Sequence, residues 1–217
     1  MTVKASFDSG GTRRLTHTML GKQGSHGVIA HDPTPNHRDA LLLAAVAVVA
    51  QAETSAVTMA EIASAAGVDV DVASALFESV DELLIEAALR QAATDLKLDG
   101  AQSNGAPTVS AFAHHFAARR PFYRAMRIGP VAAALDARMA VLVAPLISVQ
   151  LRAVLGPHIT DDALAEMTVF ATAESFRVTN GWIVGGADTD GAEALYVLLE
   201  GIVLSSLELA RAQRDES

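Results

Sequence analysis

Residues whose types and spacing could support chemistry are few in this sequence. His114 and His115 are adjacent, so on a helix their side chains point about 100° apart and are poorly placed to bind one metal ion together. We expect one histidine on the surface and the other, His115, beside a pocket. There is no cysteine, no Ser-His-Asp set and no glycine-rich phosphate loop. The sequence therefore predicts a protein that is not an enzyme and that binds neither a metal ion nor a cofactor.

Charged side chains offer binding chemistry instead. Glu174 and Arg177 are three residues apart, which on a helix allows either a surface ion pair or a polar handle inside a pocket. A locally basic segment consists of Arg119, Arg120, Arg124, Arg127 and Arg138. These arginines either cover solvated helix faces or bind an anionic ligand such as an acyl-CoA.

Composition indicates which elements position these residues. The chain of 217 residues is 51% hydrophobic but only 5% aromatic, and its apolar bulk is Ala, Leu and Val. This balance favours an all-α protein. The run LLLAAVAVVA at 41–50 is too short to cross a bilayer, which needs roughly 20 apolar residues, and starts too far into the chain for a signal peptide. We expect no membrane span elsewhere and a cytoplasmic protein.

The most specific pattern runs from Thr58 to Leu84. Thr58 and Glu61 have the spacing of a capping box, and Gly67 is placed to end that helix in a left-handed conformation. Asp69 can cap a second short helix, whose predicted inner face consists of Val72, Ala73, Leu76 and Phe77. Ser79 with Glu82 forms another capping box and begins a third helix. Two short helices around a glycine turn are typical of a helix-turn-helix.

Here the sequence resembles the TetR (tetracycline-repressor-like) family of bacterial transcriptional regulators. The shared motif is carried by Thr58, Glu61, Ile62, Ala63, Ala66, Gly67, Val68, Phe77, Ser79, Asp81, Glu82, Leu83 and Leu84. The resemblance implies a homodimeric regulator that acts as a repressor and places the helix from Asp69 to Glu78 in a DNA major groove. It also implies control by a small apolar or amphipathic effector.

The resemblance ends at the residues that would touch DNA. Where the family usually carries Ser or Thr, Lys, Gly, Thr, Tyr and often His, this chain has Asp69, Val70, Asp71, Val72, Ser74 and Leu76, and Val80 replaces a frequent lysine. The residues placed to contact DNA are Thr58, Asp69, Val70, Asp71, Ser74 and Ser79, with Arg13, Arg14 and Arg38 as cations.

Charge makes double-stranded DNA a weakly bound partner. The formal net charge is −9, and residues 41–95 hold nine acidic side chains against Arg90 alone. DNA affinity comes largely from basic side chains that displace counterions. The alternative is therefore a TetR-derived protein that has lost autonomous DNA binding and acts as a ligand-binding or protein-partner module.

Three regions are predicted. Residues 1–33 are polar and form a flexible N-terminal arm, which either serves no binding role or brings Arg13, Arg14 and Lys22 to DNA. Residues 34–98 form a three-helix helix-turn-helix domain, whose first helix starts at Thr34-Pro35. Residues 107–217 form a helical domain for effector binding and dimerisation.

In that second domain, helices are expected near 108–119 and 121–128, then to Leu155 with a kink at Pro145, from Thr160 to Val184, and over 191–212. The last helix is apolar all round, which predicts a homodimer with Leu199, Ile202 and Val203 near its centre. The residues expected around a ligand are bulky or polar: Phe112, His115, Phe116, Tyr123, Met126, Met139, Phe170, Glu174, Arg177 and Trp182.

Overall fold

Helices account for all the regular secondary structure in the part of the chain that the structure describes. This computed structural model describes residues 36–96, 109–157, 159–185 and 191–215. The helices are α1 (His37–Ala52), α2 (Met59–Ala66), α3 (Val70–Leu76), α4 (Val80–Asp95), α5 (Val109–Ala118), α6 (Arg120–Ile128), α7 (Ala132–Leu155), α8 (Asp161–Val184) and α9 (Ala192–Asp215). The predicted all-α class is confirmed. The predicted arm, 1–33, and the predicted boundary near 98–107 lie outside the described residues.

Helix α1 begins slightly later than the sequence predicts. Asn36 is its N-cap, and its side chain accepts a hydrogen bond from the backbone N–H of Arg38 at 3.2 Å. The predicted start at Thr34-Pro35 lies outside the described residues, and within them the cap is Asn36, a residue type that caps helices as well as the hydroxyl residues do. Leu41, Ala45 and Val49 recur every four residues and are fully buried. The apolar run is therefore the core-facing stripe of α1.

The α2–turn–α3 unit has the predicted local structure. The Thr58 hydroxyl accepts from the N–H of Glu61 at 3.2 Å, and the Glu61 carboxylate accepts from the N–H of Thr58 at 2.7 Å. Gly67 ends α2 with φ +65°, where a side chain would be strained. The Asp69 carboxylate accepts from the N–H of Asp71 at 2.8 Å and caps α3. The capping box, the left-handed turn and the second cap are all confirmed.

The inner face of α3 is narrower than predicted. Ala73 and Phe77 are buried and Leu76 is half-buried, but Val72 is 37% exposed. Helix α3 has only seven residues and packs on α1 and α2, so its contacts cover only the side centred on Ala73. The prediction that Val72 faces inward was wrong, and Val70 and Val72 both lie on the outer surface.

Helix α4 begins with a modified capping box. The Ser79 hydroxyl accepts from the N–H of Glu82 at 3.1 Å, as predicted. The Glu82 carboxylate accepts from the N–H of Glu78 at 2.9 Å, one residue before the cap. Glu82 therefore secures the end of the loop that leaves α3, and α4 is fixed to that loop through both side chains.

The longer helices pack into the same apolar core as α1–α4. Helix α7 lies along α8, α9 lies against α5 and α8, α6 contacts α1, and α7 contacts α4. One cluster of buried side chains extends from Leu41 on α1 through Phe77 and Tyr123 to Leu199 on α9. Thr160 caps α8 by accepting from the N–H of Ala163, and Gly156 ends α7. Pro145 lies inside α7, where the kink remains a prediction.

Helix α7 corrects one expectation from the sequence. It is, among the described helices, the one that is long and apolar enough to cross a membrane, with a mean hydropathy of 1.7 over its most apolar window. The charges of Asp136 and Arg138, expected to interrupt such a span, lie near the start of the helix and leave the remainder apolar. In the fold, α7 packs on α4, α8 and α9, so length and composition alone are weak evidence for a span.

Candidate ligand cavity and DNA-facing surface

A cavity of about 140 Å³ lies between α5, α7, α8 and α9. Its lining side chains come from all four helices: Val109, Phe112, Val143, Leu146, Ile147, Gln150, Leu151, Val154, Ala171, Ser175, Leu199, Ile202 and Val203. None of them carries a formal charge. Gln150 and Ser175 supply the only polar side-chain atoms in this set, so the wall favours an apolar ligand with a small polar group.

Of the residues predicted to contact a ligand, Phe112 lines the cavity. His115, Phe116, Tyr123, Met126 and Met139 are buried but lie elsewhere in the core. The other predicted side chains do not line the cavity. Phe170 is 51% exposed, Glu174 accepts a 2.8 Å hydrogen bond from Arg177 Nε in a pair largely open to solvent, and the Trp182 ring lies under the Arg120 guanidinium.

Most of the lining side chains that were not predicted lie on α7. Val143, Ile147, Leu151 and Val154 are medium-sized aliphatics that recur at intervals of three or four residues, and Leu146 and Gln150 lie on the same face of the helix. That stripe was visible in the sequence. The predicted dimer residues Leu199, Ile202 and Val203 also line the cavity, from α9.

A buried hydrogen-bonded chain joins α4, α5 and α6. His115 Nδ1 lies 2.7 Å from Asp95 Oδ2, and His115 Nε2 lies 2.7 Å from the Tyr123 hydroxyl. Burial lowers the pKa of His115, outweighing the opposite effect of Asp95, so the imidazole is neutral. It donates from Nδ1 to the carboxylate and accepts at Nε2 from the phenol, whose own pKa burial raises. Arg119 also binds Asp95.

The same helix α5 connects this chain to the cavity. Phe112 lines the cavity one turn from Phe116, and their ring centroids are 4.8 Å apart. Phe116 in turn lies 4.7 Å from the Tyr123 ring, centroid to centroid. Because His115 binds Asp95 at the end of α4, a ligand that displaced α5 would also alter this contact with α4.

The neutral state of His115 has a consequence for stability. Because its pKa is lower in the folded protein than the usual value of about 6.5, the unfolded chain binds more protons just below that pH. We expect the free energy of unfolding to fall as the pH drops from about 7 towards 5. Chemical denaturation across this range measures it. His115→Gln should flatten the dependence, whereas His114→Gln, at the exposed neighbour, should not; equal slopes in both variants would contradict the assignment.

Arg38, predicted to contact DNA, forms contacts with other residues of the chain although its side chain is partly exposed. Its Nε donates to Glu86 Oε1 at 2.8 Å, its Nη1 donates to the carbonyl oxygen of Leu76 at 3.1 Å, and its guanidinium lies 4.4 Å from the centre of the Phe77 ring. The bond to Glu86 raises the pKa of Arg38. Arg38 therefore ties α1 to α4 and to the end of α3, and its guanidinium is already committed to these contacts.

The other predicted DNA residues that the structure describes are exposed. Thr58, Asp69 and Ser79 use their side-chain oxygens to cap helices, while Val70, Asp71 and Ser74 lie on the outer side of α3. Within residues 36–96, lysine and arginine are represented by Arg38 and Arg90. Arg13 and Arg14 lie outside the described residues. The described surface around α3 is thus acidic and apolar.

Helices α8 and α9 also expose apolar side chains. Val169 and Phe170 on α8 and Val197, Leu198 and Leu204 on α9 are each about half exposed or more. Gly201, exposed on α9, lies among them and would allow a second helix to approach closely. Apolar side chains grouped in this way are typical of a protein–protein interface.

Comparisons with known proteins add little. No protein-family model matches the sequence, and no curated protein matches it. A solved structure described as "a putative transcriptional regulator from Rhodococcus sp. RHA1" aligns with a TM-score of 0.49 and 15% sequence identity, over 77% of this chain and 95% of that chain. At this degree of likeness, function has to be inferred from the residues described above.

Proposed function

We propose that this protein is a cytoplasmic, homodimeric transcriptional regulator of the TetR-like type, a repressor released or engaged by a small effector. The observation that carries the proposal is the α2–Gly67–α3 unit. Its two caps and its left-handed glycine turn hold α3 on the core through Ala73 and Phe77, and leave the side of α3 with Val70, Asp71 and Ser74 exposed. A helix presented in this way suits a major groove.

A dimer would place two copies of α3 on one DNA duplex. We expect the exposed apolar side chains of α8 and α9 to meet their copies in a second chain. Leu198→Asp should convert the dimer to a monomer at micromolar concentration, because a buried unpaired carboxylate is strongly unfavourable. Val141→Asp, on the exposed side of α7, is the matched control. Sedimentation velocity distinguishes the two, and a dimer that persists in Leu198→Asp would refute this interface.

The effector would act through α5. A ligand beside Phe112 would favour one position of α5, and α5 carries His115, whose ring binds Asp95 at the end of α4. Helix α4 is joined to the end of α3 by the hydrogen bonds of Ser79 and Glu82. Arg38 adds a second link, because it pairs with Glu86 on α4 and donates to the carbonyl oxygen of Leu76 at the end of α3. A ligand therefore selects between orientations of α3 through its differential affinity for them.

The direct test is DNA binding by the full chain. Fluorescence anisotropy with duplexes from the region flanking its own gene, at low salt, should show binding that a matched unrelated duplex competes for poorly. Addition of an effector should change that affinity. The regulator proposal fails if no specific binding is found. It also fails if specific binding is found but is unchanged by Val70→Ala with Ser74→Ala.

One observation favours the second candidate, a ligand-binding or protein-partner module without autonomous DNA binding. Arg38 is engaged with Glu86 and Leu76, which leaves the described surface around α3 with an excess of carboxylates. Ligand binding combined with no measurable DNA affinity at low salt would support this candidate over the first.

A further inference from the structure

We propose that the cavity between α5, α7, α8 and α9 binds an uncharged molecule the size of a single six-membered ring that carries one hydroxyl or carbonyl group. This assignment deepens the proposed function, and its role as an effector rests on that function, but binding itself does not. It follows from three properties of the wall: its volume, its lack of charge, and the position of its two polar side chains.

Volume sets the size of the ligand. The cavity measures about 140 Å³. An apolar protein cavity of about 150 Å³ holds one benzene molecule. A substituted single ring or a branched chain of similar volume therefore fits between the helices, whereas a fused polycyclic molecule or a long acyl chain would extend beyond this volume. The phenyl ring of Phe112 and the aliphatic side chains of α7 line the cavity and give such a ligand apolar contacts.

The uncharged side chains of the wall determine which ionisation state of the ligand can bind. Among the described residues, no side chain that lines the cavity is an acid, a base or a histidine, and an ion moved against such a wall loses hydration without gaining a charged partner. The basic segment does not reach the cavity, because Arg119 binds Asp95, Arg127 pairs with Asp136, and Arg120 donates to the carbonyl oxygen of Trp182. An anionic ligand is therefore disfavoured, in contrast to the acyl-CoA alternative raised by the sequence.

The two polar side chains define the substituent. Gln150 lies on α7 and Ser175 on α8, within a wall that is otherwise apolar. The serine hydroxyl can donate one hydrogen bond and accept another. A single hydroxyl or carbonyl group on the ring can bond to that hydroxyl, and a site that binds such a group discriminates against the analogue that lacks it. A ligand without a polar group should bind more weakly.

Four probes of graded chemistry test the assignment by calorimetry and by thermal shift on the full chain without DNA. We expect p-cresol to bind and to raise the melting temperature, and toluene to bind about tenfold more weakly. We expect p-toluate, which has the same ring but a negative charge, and 4-phenylphenol, which has a second ring, to bind at least tenfold more weakly than p-cresol. Binding of p-toluate as tight as that of p-cresol, or no binding by p-cresol, overturns the assignment.

Variants locate the site. Ser175→Ala should weaken p-cresol but leave toluene unchanged, which a general loss of packing would not do. Leu146→Trp should fill the cavity and abolish binding of both, while Val141→Trp, on the exposed side of the same helix, should not. If Leu146→Trp does not fold, the Ser175→Ala result still decides. If p-cresol binds but does not change the affinity for DNA, only the proposed regulation is refuted. If the protein binds DNA but has no affinity for neutral rings, only the ligand class is refuted.

Discussion

Asp136→Asn is expected to destabilise the protein by about 3 kcal/mol, whereas Arg127→Met should change stability little or raise it. The Arg127 side chain is only 3% exposed, and its charged partner is Asp136 on α7. Burial lowers the pKa of Arg127 to about 10, so the guanidinium is still charged at neutral pH. Removal of Asp136 would leave that charge buried without compensation, which is the costly way to break a buried ion pair.

The substitution of the other partner, Arg127→Met, removes the buried charge instead. Methionine fills much of the volume of the arginine stem, and Asp136 is partly exposed, so its carboxylate can be solvated after the change. Urea denaturation of both variants measures the difference. Arg124→Met, at an exposed arginine one turn earlier on α6, is the control for loss of a positive charge. If Arg127→Met proves as damaging as Asp136→Asn, the pair itself stabilises the fold and the asymmetry expected here is absent.

The accuracy of prediction differed between features that are local in sequence and features that depend on distant residues. Thr58, Asp69 and Ser79 were predicted correctly as caps because a cap is decided by a side chain and a backbone N–H two or three residues away. Arg38 was predicted to contact DNA because nothing near it in sequence indicates Glu86, which lies 48 residues further along. The fold brings that carboxylate next to Arg38 by packing α4 on α1.

The cavity lies in the part of the chain where a ligand site was predicted, and of the predicted residues Phe112 lines it. The prediction selected bulky side chains, and Phe116, Tyr123 and Met126 are indeed buried, but large side chains fill space and complete the core. A cavity remains where smaller side chains from several helices do not meet, as between Val143 on α7 and Ala171 on α8. Such a gap depends on the separation of helices, which no periodicity in the sequence specifies.

The second large effect concerns DNA affinity, which we expect to be weak for a helix-turn-helix protein and to depend on the N-terminal arm. Each contact with a DNA phosphate contributes about −0.9 to the slope of the logarithm of affinity against the logarithm of salt concentration. Within residues 36–96, Arg38 is engaged with Glu86, and Arg90 lies well along α4. We expect positive charge for phosphate contacts to come from the predicted arm, residues 1–33, which contains Lys4, Arg13, Arg14 and Lys22. Deletion of residues 1–33 should therefore abolish binding at physiological salt.

Reduction of the negative charge at the start of α3 should have the opposite effect. Asp69→Ser keeps a capping oxygen, and with Asp71→Gln it removes two charges from the surface that would face phosphates. We expect the double variant to bind non-specific DNA roughly tenfold more tightly at low salt, since each carboxylate opposes nearby phosphates by under 1 kcal/mol at the protein surface. Glu166→Gln with Glu193→Gln makes the same change in net charge far along the chain from α3 and is the matched control.

Anisotropy titrations at several salt concentrations separate the two contributions. Loss of the arm should lower both affinity and salt slope, because it removes cations that displace counterions. Substitution of Asp69 and Asp71 should raise affinity with little change in slope, because it adds no cation. Aspartate can accept a hydrogen bond from a cytosine amino group, so a direct role in base recognition would appear as loss of specificity in the same variant. Nanomolar binding at physiological salt that survives deletion of residues 1–33 would show that α3 itself supplies the affinity. That result would contradict the expectation that the acidic surface around α3 opposes DNA binding.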